Sequence, residues 1–371
     1  RGMTSTQPSF RTSGAGHHCA MTRPDELAPL REEMRRFVQV SGFRAPLYAR
    51  LALGLSESDE ALTILAEAPP ANRITVTLFA AIQFLLLAEP DEPLAAWYPN
   101  LSVEPRRDDP TEAAREFCVR RRSELLALVR TRTPQTNEIG RCAPLILGLS
   151  AVEQRFGPLA QLDVGASAGL NLLSDEYRYR FGAHVIGEGP VELACDLRGE
   201  AVALPERPPH LVARLGLDRE PIDTDDPQQL RWLLACVWPD QADRRERLAT
   251  ALKVARRLRP RVLAGDAVDD LAHALAQLPD GHPVVTTSWV LSYLSPARRR
   301  QFVGALDDLG RSRDLSWVSY ESPAAAPELD WPESLVGADL TVLRVISWSA
   351  GRKDDCVIGQ GHPHGYWLTL F

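Results

Sequence analysis

Long hydrophobic runs are missing from this 371-residue sequence. The longest apolar stretch, residues 78–88, is broken by Gln83 and falls well short of the roughly 20 residues that cross a bilayer, so a soluble protein without a membrane partner is expected. Paired cysteines are missing too. Cys19, Cys118, Cys142, Cys195, Cys236 and Cys356 are scattered with no Cys-x-x-Cys among them, which argues against a disulfide framework or a thiolate zinc site and suits a reducing, cytoplasmic setting. Excess positive charge is absent: 42 Lys and Arg stand against 49 Asp and Glu, a formal net charge of −7, so no nucleic-acid footprint over the whole surface is expected. Lysine is almost absent, with only Lys253 and Lys353, and the arginines that replace it are spread along the chain as background composition. Residues 1–24 hold Ser, Thr, Gly and a His-His pair without a charged start followed by an apolar stretch, and are expected to be a mobile leader outside the fold.

What is present is ordinary globular composition, 44% hydrophobic and 25% charged, which excludes collagen-like, coiled-coil and wholly disordered chains. At about 150 residues per domain, the length allows two to three domains, or one α/β domain with a substantial extra lobe. From residue 25 to about 157 the pattern is helical. Leu27, Leu30, Met34 and Phe37 recur at helical spacing, and further helices are predicted over 59–67, 72–87, 111–130 and 139–155. After Pro158 short apolar runs alternate with helices, as in a parallel sheet covered on both faces. Strands are predicted at 159–164, 191–194, 211–217, 262–264, 284–287 and 315–320. An antiparallel edge pair is predicted at 340–348 and 366–370, and helices at 170–179, 227–237, 241–258, 268–277 and 296–309.

The most informative segment is Asp163-Val164-Gly165-Ala166-Ser167-Ala168-Gly169, which joins a predicted strand to a predicted helix and admits three chemistries. A dinucleotide fingerprint fits poorly, because Gly165, Ser167 and Leu170 occupy its three glycine positions. Gly-x-Ser-x-Gly is also the nucleophile elbow of serine hydrolases, and Ser167, Asp266 and His362 stand in that fold's triad order. Against it, the chain ahead of Ser167 is mainly helical and has no His-Gly-Gly segment.

Third, acid-x-Gly-x-small-x-Gly at the end of a first strand resembles the cofactor loop of class I S-adenosylmethionine-dependent methyltransferases, with Ser167 in place of the usual middle glycine. Over nearly its full length the chain also resembles a bacterial family defined only as domain of unknown function 2332, on the motifs Thr136-Asn137-Glu138-Ile139-Gly140-Arg141, Ala168-Gly169-Leu170-Asn171-Leu172 and Val237-Trp238-Pro239. The methyltransferase resemblance implies a doubly wound Rossmann-like sheet of seven strands with its last pair antiparallel, spanning residues 158–371 and carrying a helical N-terminal lobe. It implies S-adenosylmethionine as cofactor, and it assigns Asp163, Gly165, Ala166, Ser167 and Gly169 to its binding. Asp218, or else Asp196, would take the ribose hydroxyls. Asp266 and Ala267 would lie at the adenine, and Trp289 or Tyr293 near the sulfonium.

Glu138 and Arg141, one turn apart, would face the cofactor's amine and carboxylate, or else enter an intrahelical or inter-lobe ion pair. Glu321 is the first candidate general base and Tyr293 the second. His362 and His364 lack the spaced partners of a metal site. The Asn-Pro-Pro-Tyr type of segment of many amine methylases is missing at 288–294, which favours O-methylation of a small-molecule acceptor. The expected activity is therefore methyl transfer, with a serine hydrolase and a non-catalytic cofactor-binding or interaction protein as alternatives.

Overall fold

The computed structural model describes residues 24–135, 137–200, 203–335 and 340–371. The leader expected over residues 1–24 therefore lies outside the described residues except for Pro24, and so does Thr136.

Six helices open the chain: α1 (Pro24–Ser41), α2 (Pro46–Leu55), α3 (Asp59–Ala66), α4 (Thr75–Ala88), α5 (Thr111–Arg120) and α6 (Arg122–Thr131). The single helix predicted over 111–130 is broken at Arg121, whose φ of −102° and ψ of 22° leave the helical region. These helices bury Met34, Tyr48, Phe79 and Phe117 in one core. Trp232 and Ala235 complete that core from α8 (Pro227–Ala235), far along the chain. None of the described helices is long and apolar enough to cross a membrane.

The helix predicted from residue 139 begins as a 3-10 turn, Ile139–Arg141, and continues as α7 (Cys142–Phe156), which packs on the sheet. The remaining elements are β1 (Leu159–Val164), β2 (Arg178–Phe181), β3 (His184–Ile186), β4 (Glu192–Ala194), β5 (Asp196–Gly199), β6 (Leu211–Asp218), α9 (Ala242–Leu258), β7 (Val262–Ala264), α10 (Leu271–Leu275), β8 (His282–Ser288), α11 (Pro296–Ser312), β9 (Leu315–Glu321), β10 (Thr341–Ser349), β11 (Arg352–Gly361) and β12 (Trp367–Leu370).

The fold is mixed α/β, with a large, mostly parallel central sheet in the order β5-β12-β11-β10-β9-β8-β1-β6-β7. Both faces are covered. Leu162, Val164, Leu215 and Leu217 pack with Phe302, Leu306 and Trp317 on one side, while Leu159 and Val318 pack with α7 and α9 on the other. This double burial explains why β1 is a run of six buried residues.

Four expectations are corrected. The sheet has nine strands, not seven, because β5 from the insertion after the glycine-rich turn adds to the edge beside β12, and β11 adds another strand. The predicted edge pair is not a pair: β11 lies between β10 and β12 and is antiparallel to both. Its first five residues, Arg-Lys-Asp-Asp-Cys, are exposed and carry no apolar alternation to announce a strand. The strand predicted at 191–194 belongs to a separate three-stranded sheet, β3-β2-β4.

The fourth correction concerns the glycine-rich turn, which is followed by a 3-10 run, Leu170–Glu176, with Leu173 outside helical φ and ψ, and not by an α-helix. Carbonyls that a helix would use internally are claimed instead by tyrosine hydroxyls: Tyr177 donates to Leu170 O at 2.8 Å and Tyr179 to Ser174 O. Without an α-helix after it, the turn offers an anion no helix N-terminus. Gly169 sits at φ +70°, and a Cβ there would meet Pro260 Cγ at 2.8 Å. Gly169→Ala is therefore expected to cost about 1 kcal/mol or more of stability through left-handed strain plus the clash, seen as a lower melting temperature in differential scanning calorimetry.

Candidate functional site

Strand register brings the site together. Val164 of β1 is level with Leu217 of β6 and Thr287 of β8, and Asp218 of β6 is level with Ala264 of β7. Four carboxyl ends thus open on one side at the point where the chain, having run outward from β1 to β6 and β7, crosses back to β8. Ligands of open α/β sheets bind at such switch points. A cleft of about 230 Å³ lies there, and its walls include Arg141, Gly165, Ser167, Asp218, Ala267, Trp289 and Tyr293.

The turn that follows β1 is fastened by β6. Gly165 N donates to Leu217 O at 2.8 Å, and Ser167 N donates to Asp218 Oδ2 at 2.8 Å. The other Asp218 oxygen accepts from Glu220 N at 2.8 Å. Each oxygen keeps a further lone pair, so the carboxylate remains able to accept from a ligand. Ser167 and Trp289 are two of four non-glycine residues with positive φ among the described residues, at +52° and +60°, and both line the cleft. Such conformations cost about 1–3 kcal/mol each and gather at functional sites.

Arg141 is the charge that the cleft does not neutralise. Its side chain is 7% exposed, and its nitrogens go to main-chain carbonyls, Nε to Pro363 O at 2.9 Å and Nη1 to Ser288 O at 3.2 Å. No ion pair among the described residues includes it, and its guanidinium lies 5.6 Å from the centre of the Trp289 ring. Burial pulls its pKa down, opposed by the more distant Glu138, Tyr293 and Glu321. Sequestering a cation without a carboxylate is expensive.

Several expected residues have other duties. Glu138 does not face the cleft: its Oε2 pairs with Arg244 of α9, its Oε1 accepts from Gly140 N at 3.0 Å, and His364 Nδ1 lies 3.3 Å away, so the inter-lobe ion pair is the arrangement present. Glu321 does not line the cleft either. Its two oxygens accept from Val290 N at 3.0 Å and Leu291 N at 3.2 Å, holding the strained turn at Trp289, while burial pushes its pKa up to about 7 against those donors. Tyr293, 67% exposed, stays at the rim of the cleft.

Asp266 makes an ion pair with Arg298 and caps the turn at Val268 N, 2.8 Å away, leaving Gly265 and Ala267 on the wall. Ala166 and Gly169 turn away from the opening, towards Gly216 and Pro260. Asp196 begins β5 at the far edge of the sheet, beside Trp367, and cannot serve the cleft. The hydrolase triad does not assemble. Ser167 Oγ donates to Gln135 Oε1 at 2.8 Å, Asp266 is taken by Arg298, and His362 packs its ring on Tyr366 at 4.9 Å. Every described strand, moreover, follows residue 158.

Asp163 lies under the cleft and not on its wall. Thr286 Oγ1 donates to its Oδ1 at 2.6 Å, Oδ2 has no partner, and burial pushes its pKa up to about 7, the Thr286 bond pulling the other way. A carboxyl raised in the folded state binds a proton that the unfolded chain has already lost, so folding stability declines as pH rises from its ordinary value of 3.8 to about 7. Asp163→Asn should flatten that slope and exceed the wild type in stability at pH 8 but not at pH 4. Urea melts across pH would show the reverse order if burial were not the cause.

Gln135, Thr133 and Pro134 on the wall were not expected, nor was Ser288. They belong to an extended linker and a strand end with no periodicity and no titratable side chain to single them out.

The chain matches, over residues 31–370, the family described as an uncharacterized protein conserved in bacteria (DUF2332), and it belongs to that family. No curated protein and no solved structure matches it.

Proposed function

We propose that this chain is an S-adenosylmethionine-dependent methyltransferase acting on a small molecule. The observation that carries the reading is Arg141, a buried cation with no carboxylate partner, on the wall of a switch-point cleft that also presents the Asp218 carboxylate and the Trp289 ring. That set suits a zwitterionic nucleoside: a guanidinium for a carboxylate, a carboxylate for ribose hydroxyls, an aromatic face for a sulfonium. S-adenosylmethionine supplies a methyl group on positively charged sulfur, which an aligned nucleophile can displace. The chain's part is to bind, align and exclude water. Gly265 and Ala267 leave room for a flat base beside β7. With Glu321 committed to the turn, Tyr293 is the remaining candidate for moving a proton, and an oxygen acceptor is favoured over nitrogen as the sequence suggests.

A melting scan with S-adenosylmethionine and S-adenosylhomocysteine tests this. Ligand at 100 times its dissociation constant adds about 2.7 kcal/mol to the native state, a shift of several degrees. No shift at millimolar ligand contradicts the reading. A shift without turnover of any acceptor leaves a cofactor-binding protein without catalysis.

A further inference from the structure

Glu138 and the His362-Pro363-His364 segment stand out in the sequence but do not line the cleft. They meet directly behind its wall. The loop between β11 and β12 packs backbone against backbone on the 3-10 turn that ends at Arg141. A Cβ on Gly140 would lie 2.3 Å from His364 O, and one on Gly365 would lie 2.1 Å from Gly140 O. The loop is anchored on both sides of Pro363. Tyr320 Oη donates to His362 O at 2.7 Å, His364 N donates to His362 Nδ1 at 3.0 Å, and the His364 ring lies 3.3 Å from Glu138 Oε2. Glu138 in turn is tied to Arg244 on α9. Burial opposes its charge, but Arg244, His364 and Arg141 hold its carboxyl below the usual range. Burial likewise holds His364 down at about 4, so the carboxylate faces a neutral ring and one fixed guanidinium.

The consequence falls on Pro363 O, which accepts from Arg141 Nε at 2.9 Å. A guanidinium is planar, so anchoring Nε on Pro363 O and Nη1 on Ser288 O fixes its plane and leaves Nη2 without a protein partner among the described residues.

We propose that Glu138, Arg244 and His364 form a buried polar cluster that positions Arg141 by clamping the Pro363 carbonyl, and thereby sets the preference of the cleft for ligands carrying a carboxylate. They are positioning residues, since none lines the cleft. The inference rests on the nucleoside reading above, and its test separates the two.

Two probes share the adenosine thioether: S-adenosylhomocysteine, with its amino-acid portion, and 5′-methylthioadenosine, without it. Calorimetric titration of the wild type, Glu138→Gln and His364→Asn is done at a temperature where each variant retains the wild-type circular dichroism spectrum. The glutamine keeps an acceptor for Gly140 N while removing the charge and the acceptor oxygen that faces Arg244. His364→Asn leaves the Glu138–Arg244 pair intact. The wild type should prefer S-adenosylhomocysteine. Each variant should weaken it about tenfold and change 5′-methylthioadenosine binding less than about twofold. Variants that keep the wild-type preference, or that lose both probes equally, overturn the positioning role while leaving the nucleoside reading intact. A wild type that binds neither probe overturns both.

Discussion

Arg244→Met should lower the free energy of unfolding by about 3–5 kcal/mol, the cost of leaving a buried carboxylate without its cation. Glu138 and Arg244 are 3% and 7% exposed, and in the variant the carboxylate would lose its paired cation, leaving the Gly140 N–H, the His364 ring that burial keeps neutral near pH 7, and the charge of Arg141. Glu138→Gln with Arg244→Met should cost less than Arg244→Met alone, because no stranded charge remains. The sign with pH is fixed by the depressed carboxyl: the pair stabilises the fold above the ordinary glutamate value of 4.5, and that contribution is lost as pH falls further, towards the folded value. Urea unfolding at pH 7 and pH 4 would therefore show the single variant converging on the wild type at the acid end. An equal deficit at both pH values would mean that lost packing, and not charge, causes the effect.

Arg141→Gln should behave in the opposite way without ligand. A buried cation that no carboxylate neutralises burdens the apo protein, so the neutral variant should melt no lower than the wild type. Its effect should appear with ligand present, where the upshift of about 2.7 kcal/mol expected at 100 times the dissociation constant should be lost at the same ligand concentration. A variant that melts lower and still shows the full shift would make Arg141 a structural residue.

The legible parts of the fold are those whose physics is local. β1 was expected at 159–164 and is found there, because a strand covered on both faces is written as a short, mainly apolar run, here interrupted only by the buried Gln161 and Asp163. Asp218 was read as the end of the strand beside β1, despite about fifty intervening residues, and it binds the turn at Ser167. What failed depended on tertiary pairing. β11 is polar and exposed along its first half and becomes a strand only because β10 offers it a ladder. The helix expected after Gly169 gives way to a 3-10 run whose Leu170 and Ser174 carbonyls accept from the hydroxyls of Tyr177 and Tyr179. Glu321 looked like a base because it ends a strand at the correct end of the sheet. Only the structure shows that its oxygens accept from the turn at Trp289 and lie off the cleft wall. Glu138 and Arg141 sit one turn apart yet diverge, one towards α9 and one towards the cleft, a difference that spacing along a helix does not encode.

Calorimetric titration of the wild-type protein with S-adenosylhomocysteine tests the central claim most directly. The account predicts saturable binding at one site, weakened about tenfold or more by Asp218→Asn and by Arg141→Gln. The absence of any binding at millimolar ligand, or affinity unchanged in both variants, would contradict it.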